Sequence, residues 1–166
     1  MKVRIAKKAR PKGIVVLRDS RESHPIAFKR EEHIVGTERI KLHVGDYQAL
    51  YPDGSRSFVV FERKSVPDLW CTMTKGHSRF MNELALSKKM EVRLVLIVEA
   101  PFSAILSGFY RSRYPGTAMV KKLHTLFHVY GLPSVFCTSR EDMSNYIAWS
   151  FISEGLHSQR IKKGRK

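Results

Sequence analysis

Cysteine is scarce in this 166-residue chain: Cys71 and Cys137 are distant from each other and lack metal-ligand spacing. That excludes a disulfide-stapled scaffold and a cysteine zinc cluster, and both residues read as free thiols of a reducing compartment. Long apolar runs are missing as well. No stretch approaches the ~18 apolar residues of a membrane span, and the N-terminus lacks the apolar core of a secretory signal. The expectation is a soluble intracellular protein with no membrane partner, in the cytoplasm or, in a eukaryote, the nucleus. Internal repeats and an interdomain linker are absent too, which points to a single domain. Acid is the last shortage: 15 Asp and Glu stand against 30 Lys and Arg, a net charge of +15. Residues 1–13 hold six Lys or Arg and residues 157–166 hold five, with no acid in either segment. Together they carry 11 of the +15, which leaves +4 for residues 14–156. Such ends are either solvated tails that aid solubility or arms that neutralise phosphates.

What is present is enough to build a core, since 43% of the residues are hydrophobic. Gly13–Leu17 is a short apolar run leading into Arg18-Asp19, the pattern of a buried strand. Residues 20–43 are polar and irregular, with a strand expected at Glu38–Val44. Ser65-Val66-Pro67-Asp68 combines a capping Ser, an early Pro and a first-turn acid, which predicts a helix start. A second helix is expected around Ser78–Met90, facing inward through Phe80 and Leu84. Val92–Val98 is the strongest buried-strand signal in the chain. Pro101–Gly108 predicts a short helix, and Gly116–Tyr130 a longer one with Val120, Leu123, Phe127 and Tyr130 as its apolar stripe. After a short strand at Pro133–Cys137, Ser139 caps a last helix with Asp142 three residues on. Its stripe is Met143, Tyr146, Ile147 and Phe151, and Gly155 is its expected end. Strands interleaved with helices predict an α/β domain around a mixed sheet.

The chemistry gathers in one stretch, VGDYQALYPDGSRSFVVFERKSVPDL, at 44–69. Pro52-Asp53-Gly54 is a turn signal between two runs of strand character, Val44–Tyr51 and Ser57–Lys64. Folding that hairpin about Gly54 sets position 46 opposite position 62. Opposed carboxylates at Asp46 and Glu62 would be about 5 Å apart at Cβ and would repel. Lys64, two residues beyond Glu62, lies on the same face. Two carboxylates and an ammonium on one patch are costly as structure and useful as a divalent-metal site. The plainer alternative is a pair of solvated hairpin acids. His124 and His128 share a helical face, but with no carboxylate nearby in sequence they read as an accidental pair rather than zinc ligands.

These residues form an ordered set. DSRE at 19–22, VGDY at 44–47, FERKSVPDL at 61–69 and HSRFMNEL at 77–84 resemble the ERCC4-type (XPF-like) nuclease domain, in the manner of its small stand-alone bacterial and phage members. The resemblance covers about 14–155. It implies a restriction-endonuclease-like (PD-(D/E)XK) core, with a mixed central sheet flanked by helices, over residues 14–156, between a basic N-terminal arm at 1–13 and a basic tail at 157–166. It implies a Mg²⁺-dependent DNA endonuclease, with Mn²⁺ as substitute and a preference for branched or flapped DNA. The alternative is a non-catalytic DNA-binding module of the same fold.

By the same resemblance Asp46, Glu62 and the Arg63 carbonyl would hold the ion, and Asp19 would act through a water or second ion. Lys64 would orient the attacking water or stabilise charge, and as a base it would need a lowered pKa. Glu22, Asp68, Arg79 and Glu83 would support the site. As ordinary features, Asp19 is a turn former, Glu22 a loop charge, Asp68 a first-turn acid, and Arg79–Glu83 a helix-surface pair. Arg63, Arg111, Arg113, Lys121 and Lys122 are candidate DNA contacts, with a solvated surface the alternative for all but Arg63. A homodimer through the C-terminal helices is expected, because Tyr146, Trp149, Phe151 and Ile152 cover more than one face of the last helix. The family's helix-hairpin-helix modules have no counterpart in the eleven residues after Gly155, so junction recognition would lack its usual reader.

Overall fold

The computed structural model describes residues 13–29 and 33–164, the last six of these as backbone alone. Six strands form one mixed sheet: β1 (Ile14–Asp19), β2 (Ile34–Ile40), β3 (Tyr47–Leu50), β4 (Val59–Lys64), β5 (Arg93–Val98) and β6 (Ser134–Phe136). Their order across the sheet is β2-β1-β3-β4-β5-β6. β1 runs parallel to β2 and antiparallel to β3, β3 and β4 are antiparallel, and β4, β5 and β6 are parallel. The helices are α1 (Val66–Met73), α2 (His77–Lys89), α3 (Phe102–Ser107), α4 (Gly116–Tyr130) and α5 (Arg140–Gly164). None of the helices among the described residues is long and apolar enough to cross a membrane.

β5 shows why the sheet is covered on both faces. Successive side chains alternate sides of a strand, and Leu94, Leu96 and Val98 enter one core while Val95 and Ile97 enter another. The first core takes Leu69, Trp70 and Met73 from α1, Phe80 and Leu84 from α2, Ile105 from α3, and Met119, Leu123 and Leu126 from α4. The second takes Met143, Ile147, Phe151 and Ile152 from α5. A strand buried on both faces reads as an unbroken apolar run, which is what VRLVLIV is. The resulting layers are helix, sheet, helix.

Local signals placed the helix starts. The Ser65 hydroxyl accepts from Asp68 N at α1, and the Ser139 hydroxyl accepts from Asp142 N at 3.0 Å as α5 begins. Four expectations need correction. β2 lies at Ile34–Ile40 rather than Glu38–Val44, because it pairs with β1 from Ile14 onward. The buried face of α4 is Met119, Leu123 and Leu126, while Phe127 and Tyr130 are exposed. Gly155 does not end the last helix, which continues to Gly164. A Cβ at Gly155 would sit 2.8 Å from the Tyr51 ring, so glycine there admits the hairpin, whose Tyr51 hydroxyl donates to the Phe151 carbonyl at 3.0 Å. Finally, Phe151 and Ile152 are buried against the sheet, leaving Tyr146, Trp149 and Leu156 as the exposed large apolar side chains among those described on α5. Of the expected N-terminal arm only Gly13 falls within the described residues.

Candidate active site

Three strand ends meet at the site, and Gly45-Asp46 joins them. Asp46 N donates to the Phe61 carbonyl at 2.7 Å, and Asp19 N donates to the Asp46 carbonyl at 2.8 Å, so one residue ties β1 to β4. Gly45 is needed for that approach. Its φ is +66°, and a Cβ would fall 2.5 Å from Val60 Cγ1 and 3.0 Å from the Phe61 carbonyl oxygen. The hairpin register pairs Tyr47 with Phe61, which places Asp46 across from Glu62 as expected. Nearer the turn the pairing is Leu50 with Arg56, so an irregularity around Ser57 adds two residues on the β4 side. There the Ser57 hydroxyl, rather than a carbonyl, accepts from Ala49 N at 2.9 Å.

The electrostatics follow from burial. Asp46 is pushed up to about 8, first by burial and then by the Glu62 charge, although Arg63 N donates to its Oδ2 at 2.8 Å. Glu62 is also raised by burial, a shift that Lys64 opposes. Lys64 Nζ lies 2.5 Å from Glu62 Oε1. Burial disfavours its charge, but the Glu62 charge and hydrogen bond, with Asp46 and Glu83 nearby, hold its pKa above the usual lysine value. These contacts favour the ammonium form of Lys64. Glu83 comes to the same place from α2, its Oε1 accepting from Gly45 N at 3.0 Å. Arg79, one turn earlier, is exposed and makes no ion pair with Glu83.

Asp19 is 1% exposed with both oxygens engaged. Oδ1 accepts from Arg21 N and Nε, and Oδ2 accepts from Arg21 Nη2 and Leu42 N. Burial raises its pKa, but the Arg21 hydrogen bonds and charge and the Leu42 amide outweigh it, and the net shift is downward. Arg21, 64% exposed, also feels the charges of Glu83 and Asp46. It is a site cation that sequence reasoning missed, although it stands two residues from Asp19 inside the DSRE motif.

Other expected residues are used elsewhere. The Arg63 guanidinium is 7% exposed, held by Glu22 at 3.2 Å and Glu99 at 2.8 Å, so it is buried in an ion-pair network rather than presented to DNA. Arg140 joins the network through Glu99 and donates to the His24 and Pro25 carbonyls, which ties the start of α5 to the 22–25 loop. Glu22 is linked to the hairpin by its ion pair with Arg63. The Lys122 ammonium, half-buried, donates to the Met73 carbonyl at the end of α1. Asp68 accepts from the Ser65 hydroxyl at 2.5 Å and acts as a capping acid. Arg111, Arg113 and Lys121 are exposed. His124 and His128 stack with centroids 6.1 Å apart, and no group of three potential ligands that would hold a metal exists among the described residues.

The donor set at the hairpin still fits a hard cation. The buried Glu62 and half-buried Asp46 carboxylates repel each other, and Mg²⁺ characteristically takes one or two carboxylates and completes its shell with water and phosphate oxygens. The pair meets that description.

The family profile described as "ERCC4 domain" matches residues 18–148. Among solved structures, "XPF from Aeropyrum pernix, complex with DNA" matches with a TM-score of 0.61 at 17% identity, covering 88% of this chain and 65% of that one. "XPF from Aeropyrum pernix" matches with a TM-score of 0.59 at 18% identity, covering 91% and 68%. The chain thus spans just under two thirds of the first of these. No curated protein sequence matches it. The shared fold is the restriction-endonuclease-like core that the motifs implied.

Proposed function

We propose that this chain, which belongs to the ERCC4 domain family, is a Mg²⁺-dependent DNA endonuclease with a preference for branched or flapped DNA, Mn²⁺ serving as substitute. The observation that carries the reading is the convergence of Asp46, Glu62 and Lys64 at the positions of the family's GD and ERK motifs. DNA as partner is supported by the family and by the charge of +15.

Asp46 and Glu62 would hold the ion, joined by the Arg63 carbonyl. Bound there, it would polarise the scissile phosphate and acidify an attacking water. The chain's own groups do the rest. Asp46, whose pKa is pushed up to about 8 without a cation, would have to bind one as the deprotonated carboxylate. Lys64 orients Glu62 and, as a fixed ammonium, stabilises negative charge on the phosphate in the transition state. The Arg63 network fixes the backbone N–H that orients Asp46. Asp19 acts indirectly, since Arg21 and Leu42 already occupy its oxygens.

The two basic ends are carried as DNA-binding arms around a nuclease domain at 14–156. A homodimer through α5, using Tyr146, Trp149 and Leu156, is part of the same reading. Cleavage of linear, flapped and four-way-junction DNA in Mg²⁺, Mn²⁺ or EDTA tests the activity. Cutting in either cation that EDTA stops is the expected result. Binding without cutting in any condition would favour the non-catalytic module.

A further inference from the structure

The loop between α3 and α4 takes no part in the chemistry above, yet it is not a slack connection. Its ends touch: a Cβ on Gly116 would fall 2.2 Å from the Leu106 carbonyl oxygen and 2.6 Å from Gly108 N. The chain between them is a compact closed excursion, a construction that often carries function. Inside it, Ser112 N donates to the Phe109 carbonyl at 2.8 Å, which makes a β-turn with Tyr110 and Arg111 at its two corners. Both shoulders are tied to α1. The Phe109 ring packs 6.0 Å from Trp70, and Trp70 Nε1 donates to the Tyr114 carbonyl at 3.0 Å.

Tyr110 is left at the tip, 83% exposed, the highest value among the exposed large hydrophobic side chains described. Phe109 meets its ring edge-on at 5.3 Å, and the Arg111 guanidinium lies over it at 5.2 Å. Arg113 is exposed in the same loop. A large ring held in water forgoes the stabilisation of burial, and here it is held by a hydrogen-bonded turn rather than by disorder. An apolar partner surface would not call for one guanidinium over the ring and a second exposed in the same loop. Duplex phosphates would use the arginines and leave the ring idle. An unpaired base with its phosphates uses all three, because every base has a π face and an anionic backbone.

We propose that Tyr110 is a stacking platform for an unpaired base of single-stranded DNA, with Arg111 and Arg113 contacting the adjacent phosphates. The proposal rests on the nuclease reading and gives it a substrate reader. α1 begins directly after the catalytic strand, and Trp70 stands roughly 7.5 Å along the helix axis from Ser65. The platform is thus anchored on the helix that leaves the site, where it would favour DNA with an unpaired strand beside the cut.

The test uses the full chain in EDTA, where nothing is cleaved, and a single-stranded oligonucleotide carrying 2-aminopurine. Wild type should quench the fluorophore. Tyr110→Ala and Tyr110→Leu should lose the quench and bind the oligonucleotide about 5- to 100-fold more weakly. Tyr110→Phe should match wild type, and affinity for fully paired duplex should be unchanged in all three. Wild-type binding and quenching by Tyr110→Ala, or equal losses on single strand and duplex, would overturn the proposal. A wild-type protein that stacks the base but never cuts flapped DNA in Mg²⁺ would uphold the platform and overturn the nuclease reading instead.

Discussion

The Asp46 carboxyl, its pKa pushed up to about 8 by burial and then by the Glu62 charge, costs the fold stability when it is ionised. In the metal-free protein it keeps its proton from the ordinary aspartate range up to about pH 8, whereas the unfolded chain loses it near 3.8. The folded state then binds more protons than the unfolded state, so stability falls as pH rises through that window. Glu62 adds to the same trend. Melting curves in EDTA from pH 5 to 8.5 should show a falling midpoint, and Asp46→Asn should flatten it. A midpoint that rises with pH in wild type would contradict the burial argument. Lys64→Ala should lose at least ~100-fold in single-turnover rate while keeping most of its DNA affinity, because one transition-state donor commonly contributes that much. Equal losses in rate and binding would make Lys64 a phosphate anchor. The Asp46–Glu62–Lys64 patch was legible although folding about Gly54 assumes an unbroken register: the turn is centred one residue earlier, and the two extra residues around Ser57 restore the pairing of 46 with 62. The burial of Arg63 was not, because nothing in a basic residue's neighbours along the chain says whether acids distant in sequence, here Glu22 and Glu99, will claim it.

Elements were legible where their signals are local and misjudged where packing decides. The Ser65 and Ser139 caps and the β5 run needed no tertiary knowledge. The α4 stripe was misjudged by one helix position because Phe127 is as apolar as Leu126, and only the sheet distinguishes them. Gly155 looked like a helix end because glycine has two uses, and the Tyr51 ring that explains it is over a hundred residues away in sequence. That contact is testable. Gly155→Ala gains about 1 kcal/mol of helix propensity but forces a methyl against a buried ring, at about 1–3 kcal/mol. A net destabilisation of order 1 kcal/mol in urea unfolding is expected. A stabilised variant would show that Tyr51 yields without cost.

Charge and assembly belong to the whole molecule. Residues 1–12 and 158–166 hold 11 cations and no acid. If half of them meet phosphate, deleting both segments should flatten the slope of log affinity against log salt by about 5. Single-turnover cleavage at saturating protein should change little. An unchanged slope would assign DNA binding to the core's own basic residues. The exposed Tyr146, Trp149 and Leu156 of α5 predict a dimer in sedimentation at tens of micromolar, and a monomer throughout would remove that interface.

The claim on which the others depend is that the hairpin carboxylates make this domain a nuclease. Its most direct test is cleavage of a labelled flapped duplex by wild type, Asp46→Asn and Glu62→Gln, each in Mg²⁺ and in EDTA, with folding monitored by melting. The account predicts cutting by wild type in Mg²⁺ alone, and no cutting by either folded variant. Full activity in a variant, or cutting that survives EDTA, would contradict it.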